Sequence, residues 1–370
     1  MRTLSFLLCL TFAACATAPP YPVGAPAAGY GDAGGDTSLA ADSASGQDTT
    51  SSQDAAPGQD APGATSPLVA KGCIDGQYQE AVPANTASLA ELKASYDQAD
   101  AQGFLDAVLA LRSPVGRHVL QVGIKAKLGG NPKNCFDTFL SAQQRKSAGG
   151  VLGMASTLVH ECGHFADLAA GGFANSTYII NQTTQFSCAG ASHGGNNQSF
   201  ARSLLLGDAY APLRPPCGGK FGQDCDHYAD IYLNGDANDA TFQGGDQGYS
   251  SVLEETVQYV NSLATDYALE DQIQSGGKIS ARDGILTFLW YLQRYLRLAR
   301  LEHPKVYAYI AGNDCWRKAT LTTWGRAWLY LEATKGHAKL SLAGDKLYEL
   351  ATAPELLSEI QRLREAAGCQ

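Results

Sequence analysis

The clearest periodic pattern in the chain lies between Ser147 and Gly172. Histidines and an aspartate follow one another there at i, i+4 and i+7 (His160, His164 and Asp167), so they line one side of a helix. Apolar residues recur at helical spacing on another side, namely Leu152, Ala155, Leu158, Val159, Cys162, Phe165, Ala166 and Ala169. The pattern predicts an amphipathic helix with one face in a core and a polar line beside it.

The rest of the folded region predicts further helices and little sheet. Helical spacing recurs at 89–97, 103–111 and 119–127, again from about residue 251, and through the last ninety residues. A strand is expected at 177–186 and a second extended stretch at 228–233, within a Gly- and Asn-rich region. These elements predict an α+β fold that is mainly helical, with a small β-sheet and helical flanking regions.

The first seventy residues differ from the rest of the chain in composition. A basic start, a short apolar run and small residues before Cys15 are typical of a signal peptide with a lipobox at 1–15, so we expect lipidation of Cys15. Residues 16–70 lack Lys, Arg and Glu and predict a disordered tether. We therefore expect an exported lipoprotein at a bacterial outer membrane or cell surface, either anchored there or released in soluble form.

The remaining chain is divided by its pattern into three parts. These are a helical subdomain at 71–147, a core at 148–270 that contains the helix with His160 and His164, and a helical subdomain at 271–370. The net charge of −9 argues against a nucleic-acid partner, and we expect a monomer.

Eight cysteines follow Cys15, and an even number in an exported chain predicts disulfides. The pairs that we favour are Cys217 with Cys225 and Cys315 with Cys369. Cys162 lies inside the histidine-bearing helix, so it is the best candidate for a buried thiol.

His160, Glu161, Cys162, Gly163 and His164 form an HExxH pattern. Two imidazoles one helical turn apart can bind one Zn²⁺ ion, and the glutamate after the first histidine can act as general base on water. The pattern therefore predicts zinc-dependent hydrolysis of protein or peptide substrates, with His160 and His164 as ligands and Glu161 as the base.

A third protein ligand is needed to leave one open position on the zinc ion. The first glutamate after Glu161 is Glu254, and Gln258 shares its helical face and can orient a ligand from behind. Glu255 and Asp246 are the alternatives, followed by His193 and His227. Glu254 also fits a capping box, in which it would only satisfy a helix N-terminus.

The residues His160, Glu161, Gly163, His164 and Asp167, with Tyr249, Glu254, Glu255 and Gln258 downstream, resemble the gluzincin metallopeptidases, particularly lethal-factor-type catalytic domains. The resemblance implies a zincin-like core, zinc held by two histidines and a glutamate, and a tyrosine that stabilises the oxyanion. Tyr249 matches that tyrosine, and Tyr228 and Tyr232 remain candidates. Asp167 and Gln258 would support the ligands.

Of two other interpretations, one remains at this point. The extended metzincin motif is excluded because Asp167 and Ala170 stand where it needs Gly and His. A non-catalytic surface lipoprotein that binds a partner and uses a structural zinc-like site is the rival from another functional class. Glu161 favours the enzyme, since a structural site needs no base.

Overall fold

The computed structural model describes residues 67–83, 86–126, 133–172, 175–220, 224–234, 247–273 and 281–369. All of them belong to one compact unit, Ala64–Gln370. This part of the chain is mainly helical and carries a two-stranded sheet, which confirms the predicted class. Its helices are α1 (Ile74–Gln77), α2 (Ala90–Ala94), α3 (Ala101–Arg112), α4 (Pro114–Lys125), α5 (Cys135–Phe139), α6 (Ala148–Leu152), α7 (Ala155–Gly171), α8 (Tyr249–Ala268), α9 (Ala281–Glu302), α10 (Pro304–Gly312), α11 (Asp314–Ala333), α12 (Gly344–Ala351) and α13 (Pro354–Ala366).

The sheet is a hairpin of β1 (Asn175–Ile179) and β2 (Gln185–Ala189), paired antiparallel with Ile179 opposite Gln185. The single strand predicted across 177–186 is therefore wrong, because a turn interrupts it. Asn181 forms that turn: its side-chain Oδ1 accepts hydrogen bonds from the backbone N–H groups of Thr183 and Thr184, both at 2.9 Å.

The extended stretch predicted at 228–233 is also wrong. The chain forms a π-helical turn at Ala229–Leu233. Asp226 explains the difference, since its carboxylate accepts hydrogen bonds from the backbone N–H groups of Tyr228 and Ala229, at 3.0 and 3.2 Å, and so starts a helical turn.

Two hydrophobic clusters fill the described fold. The smaller one joins α3, α4, α5, α6 and the apolar side of α7, with Leu105, Leu120 and Leu158 fully buried. The larger one surrounds α8, α9 and α11, where Trp290 and Trp324 are fully buried. The helix α7 packs against α4 on one side and α8 on another, so it lies where the two clusters meet.

The described residues form four disulfides. The predicted Cys217–Cys225 bond is confirmed. The predicted Cys315–Cys369 bond is wrong, and Cys162 is not a thiol. The other bonds are Cys73–Cys369, Cys135–Cys162 and Cys188–Cys315. Several disulfides fit an oxidising extracellular setting.

None of the helices in the described ranges combines the length and the apolar character that crossing a membrane requires.

Candidate metal centre

The helix α7 carries the motif as the sequence predicts. Ser147 begins the helical region, because its Oγ accepts a hydrogen bond from the Gly150 N–H at 3.1 Å. The region is divided into α6 and α7 near Gly153, and α7 ends before Gly172, whose φ of 60° lies in the left-handed region. Since the apolar side of α7 is buried in the smaller cluster, the polar line faces α8.

His160 and His164 lie one turn apart with ring centroids separated by 4.8 Å. Each has its Nδ1 in contact with α8: that of His160 is 3.1 Å from the Ser262 hydroxyl, and that of His164 lies 2.7 and 2.8 Å from the two carboxylate oxygens of Glu254. A carboxylate accepts and cannot donate, so the Nδ1 of His164 carries the proton and its Nε2 carries the lone pair. The Nε2 atoms are therefore the ones suited to a metal.

The carboxylate of Glu255 faces both Nε2 atoms. Its Oε2 lies 3.6 Å from that of His160 and 3.7 Å from that of His164. This Oε2 is buried and has no hydrogen-bond partner among the described residues. His160, His164 and Glu255 thus form a group that could hold a metal ion, with ligand atoms all within 4.8 Å of one another.

Glu254, the ligand expected from the sequence, lies outside this group. Its two oxygens are occupied by the Nδ1 of His164, on the far side of that ring from Glu255. Successive residues of a helix are rotated by about 100°, which accounts for the different nitrogens of His164 that the two adjacent glutamates face. The helix α8 begins at Tyr249, which also removes the capping-box role considered for Glu254.

The surroundings shift the pKa values of Glu255 and Glu161 in opposite directions. Burial opposes ionisation of Glu255, but the charges of His164 and His160 in their protonated forms, with that of Arg202, outweigh it and lower the pKa of Glu255. Burial raises the pKa of Glu161 above its usual value; His160 and His164 in their protonated forms oppose this effect, and the carboxylates of Glu255 and Glu254 add to it. Glu161 is therefore better suited to accept a proton.

Asp167 and Gln258 lie behind His164. The Nε2 of Gln258 donates to Asp167 Oδ2 at 2.9 Å and to Glu254 Oε1 at 3.2 Å, while Asp167 Oδ1 accepts from the Ile179 N–H of β1 at 2.8 Å. Gly163 makes this arrangement possible, because a Cβ atom there would stand 1.8 Å from the Oε1 of Gln258. The absence of a side chain at Gly163 thus leaves room on α7 for the amide group of Gln258.

An aromatic cluster adjoins His160 on another side. The ring of Tyr259 meets that of His160 edge to face, at 4.8 Å between centroids. Tyr259 hydrogen-bonds through its hydroxyl to Tyr232 at 3.1 Å, and Tyr228 and Phe288 pack around both. Of these rings, Tyr228 and Tyr232 were candidates from the sequence. Tyr259 was not, although it lies one turn after Glu255 on the same helix.

Tyr249 is not placed to contact a substrate, contrary to the role that the resemblance implies. It is fully buried, and its hydroxyl is hydrogen-bonded to the hydroxyl of Thr320 at 2.8 Å. Its ring packs against Tyr295 of α9 and Trp316 of α11. Tyr249 begins α8 on the face that packs into the larger cluster, whereas the side chain of Glu255 points toward α7.

Neither His193 nor His227, the two remaining alternatives among the described residues, belongs to the group of His160, His164 and Glu255. His193 contacts Ser192 through its Nδ1 at 3.0 Å, and Asp246 lies outside the described residues, as does Cys15. His227 belongs to a second group of possible ligands, with Cys217 and Cys225. Those two sulfurs are joined in a disulfide, so they are not thiolates that could ligate a metal.

No protein-family model, curated protein or solved structure matches this chain.

Proposed function

We propose that this protein is a zinc-dependent metallopeptidase with His160, His164 and Glu255 as the metal ligands and Glu161 as the general base. The observation that supports it most directly is the position of the Glu255 carboxylate, whose buried Oε2 faces both Nε2 atoms of the HExxH histidines. Two histidines and one glutamate leave a position open for substrate, which is the ligand set of catalytic zinc sites. Glu255 takes the place that the sequence alone favoured for Glu254.

The distances fit a shared ion better than they fit direct hydrogen bonds. Two atoms that each lie about 2.1 Å from one tetrahedral zinc ion are about 3.4 Å apart. The Oε2 of Glu255 lies 3.6 and 3.7 Å from the two Nε2 atoms. When both histidines are neutral, as metal binding requires, this buried carboxylate oxygen without a hydrogen bond carries a desolvation cost that a cation would offset.

The contacts behind the ligands hold the histidines in the required form. Glu254 accepts the Nδ1 proton of His164, which keeps the lone pair on the Nε2 side. Ser262 contacts the Nδ1 of His160 and restrains the rotation of that ring. Both imidazoles are therefore oriented toward Glu255.

The chemistry divides between the ion and the protein. When bound, zinc supplies Lewis acidity, which polarises a peptide carbonyl and makes a water molecule more acidic. Glu161 takes the proton from that water and holds it on its carboxylate, and its raised pKa favours this step. The half-buried Tyr259 and its neighbours Tyr228 and Tyr232 form an aromatic wall next to His160, where a substrate side chain can pack.

The wider setting proposed for this enzyme follows the sequence. We propose export with a lipid anchor at Cys15, peptide or protein substrates and a zincin-like arrangement of α7 and α8. The four disulfides suit a protein that works outside the reducing cytoplasm.

The test uses the purified full chain and its Glu161→Gln variant. We expect about one zinc per chain in both proteins by elemental analysis, because Glu161 does not bind the ion. Hydrolysis of casein or a fluorogenic peptide library should fall by about 10²- to 10⁴-fold in the variant, since the amide cannot accept the proton. Glu332→Gln, an exposed position on α11, is the matched control and should retain full activity.

Two results would overturn this function. If the wild-type chain binds no zinc, the ligand group is not a zinc site. If the chain binds zinc but the wild type cleaves no peptide, the non-catalytic alternative takes its place. Unchanged hydrolysis in Glu161→Gln would instead show that Glu161 is not the general base.

A further inference from the structure

A series of buried polar contacts leads from the metal centre to the other side of the fold. It starts at Glu254, whose carboxylate accepts from the Nδ1 of His164 at 2.7 Å. Gln258 donates its Nε2 to Glu254 and to Asp167, at 3.2 and 2.9 Å. Its other amide atom, Oε1, accepts from the Nδ2 of Asn261 at 2.9 Å. The position of Glu254 thus depends on which way the Gln258 amide points.

The series continues across α11 to the N-terminal part of the fold. Arg326 of α11 donates its Nη1 to the Oδ1 of Asn261 at 2.7 Å. Its Nε donates to the Oε2 of Glu80 at 2.9 Å, and the hydroxyls of Tyr78 and Tyr330 also donate to Glu80. Asn261 and Arg326 are each 1% exposed, so water does not compete for these contacts.

The direction of every amide in this series is determined by Arg326. A guanidinium group only donates, so Asn261 must present its oxygen to Arg326 and its NH₂ to Gln258. Gln258 must then accept through Oε1 and present its NH₂ to Glu254 and Asp167. The reverse orientation would set an amide oxygen against two carboxyl groups. Glu80 fixes Arg326 in turn, because it is the carboxylate paired with the guanidinium group.

We propose that Glu80 and Arg326 are positioning residues for the metal centre, which act on His164 through Asn261, Gln258 and Glu254. The inference rests on the metal site proposed above. The two groups stabilise one orientation of the amides, that orientation places the Glu254 carboxylate at the Nδ1 of His164, and the Nε2 lone pair then faces Glu255. The segment before residue 84, far from the motif in sequence, thereby contributes to zinc affinity.

The sharpest test reverses the orientation of the Gln258 amide and leaves the other side chains in place. Asn261→Asp keeps the side-chain volume and forms an ion pair with Arg326, so the fold is retained. A carboxylate has no NH₂ to give to Gln258, so the Gln258 amide is expected to turn over and direct its oxygen at Glu254. Glu80→Gln is the second variant, because it removes the charge that fixes Arg326.

The full chain is titrated with Zn²⁺ against a chromophoric chelator. Loss of a contact behind a zinc ligand weakens metal affinity by 10- to 100-fold, so we expect a zinc Kd raised by about 10-fold or more in both variants. The zinc-free proteins are compared by NMR, where the Nδ1 proton of His164 should shift or vanish. Glu359→Gln is the control, since Glu359 forms a buried ion pair with Arg300 between α13 and α9.

The outcomes separate this inference from the proposed function. If both variants bind zinc with the wild-type affinity, or if Glu359→Gln weakens binding as much as they do, Glu80 and Arg326 are structural residues only. If the wild type itself binds no zinc, the proposed function fails, and the NMR signal decides the inference. An unchanged Nδ1 proton of His164 in Asn261→Asp would then overturn it.

Discussion

At the scale of single residues, two adjacent glutamates of α8 make different contacts with the histidines of α7. The carboxylate of Glu255 is directed at the Nε2 atoms of His160 and His164, whereas Glu254 contacts only the opposite side of the His164 ring. A rotation of about 100° along the helix accounts for the difference. The two positions therefore offer a comparison in which chemistry and sequence neighbourhood are the same and only direction differs.

We predict that Glu255→Gln and Glu254→Gln have unequal effects on zinc. A neutral amide is a poor zinc ligand, so Glu255→Gln should reduce the zinc content of the purified full chain to near zero. Glu254→Gln removes only the acceptor behind His164, so the zinc content at saturation should stay near one while the Kd rises by about 10- to 100-fold. Elemental analysis and a chelator titration measure the two quantities.

The opposite ranking would contradict the assignment. If Glu254→Gln strips the metal and Glu255→Gln retains it, the ligand favoured by the sequence is the correct one. If neither variant loses zinc, Asp246 becomes the next candidate for the third ligand.

The sequence predicts how the two histidines of the candidate centre are placed because the HExxH spacing is local. His160, Glu161 and His164 share one helix, and 3.6 residues per turn bring the two histidines to the same side. The third member of the candidate group comes from another helix, and only the packing of α8 on α7 decides which glutamate faces the histidines. Tyr249 shows the same limit, because its helix directs it into the core instead of the site.

At the scale of elements, the approach of α7 to α8 depends on Gly163. The Oε1 of Gln258 occupies the place that a Cβ atom of residue 163 would need, at 1.8 Å. Gly123 of α4 allows the close contact on the other side of α7, because a Cβ atom at residue 123 would stand 2.0 Å from the Cys162 carbonyl oxygen. α7 can lie close to both neighbours because each contact contains a glycine.

We predict that Gly163→Ala destabilises the fold and weakens the metal site together. The added methyl group must displace the Gln258 amide, and overpacking of this kind costs about 1–3 kcal/mol in the free energy of unfolding. Zinc affinity should fall as well, since Gln258 supports Glu254. Urea unfolding of the zinc-free chain and a zinc titration measure these effects.

Gly149→Ala is the matched control for that substitution. Gly149 lies in α6, and a Cβ atom there would meet no other atom within 4 Å, so alanine should be neutral or slightly stabilising. Gly163→Ala with wild-type stability and wild-type zinc affinity would show that α8 can move aside without consequence.

Elements with strong local signals were predictable, and those formed by distant contacts were not. The helices α3, α4, α7 and α8 follow apolar periodicity, and the structure contains them. The hairpin turn at Asn181 and the π-helical turn after Asp226 depend on single side-chain caps within polar sequence. The Cys188–Cys315 bond joins residues 127 positions apart, a pairing that spacing cannot reveal.

At the scale of the whole molecule, α7 and α8 connect the two hydrophobic clusters, and the polar residues between these helices are buried with them. Leu269, directly after α8, belongs to the smaller cluster, although most of α8 faces the larger one. The Cys73–Cys369 bond joins the start and the end of the described fold across 296 positions. Ionisable groups in such an interior make the stability of the fold depend on pH.

Asp266 is the clearest example of such a group away from the candidate metal centre. It lies near the end of α8, is 6% exposed, and its Oδ2 has no hydrogen-bond partner among the described residues. Burial raises the pKa of Asp266 from 3.8 to about 7, and a hydrogen bond with Ser156 only partly offsets this effect. The protonated form is thus the one that the folded protein favours.

We predict that the free energy of unfolding falls as the pH rises from about 4 to about 7. In this range the folded state keeps a proton on Asp266 that the unfolded state has already released, so each step in pH favours unfolding. The stabilisation is complete below the unfolded pKa and lost above the folded one. A difference of about three pKa units corresponds to roughly 4 kcal/mol at most. Asp266→Asn cannot ionise, so it should lack this loss.

The measurement is urea unfolding of the zinc-free full chain and the Asp266→Asn variant at pH 5 and pH 8, with chelator present throughout. All other titrating groups are common to the two proteins, so the difference between their pH dependences belongs to Asp266. Between pH 5 and pH 8 the free energy of unfolding should fall less in the variant than in the wild type. At pH 8 the variant should be the more stable protein, because the wild type must bury a charged carboxylate or protonate it. Parallel pH dependences in the two proteins would mean that Asp266 is solvated or paired in the folded state, and that the interior between α7 and α8 is more polar than its contacts indicate.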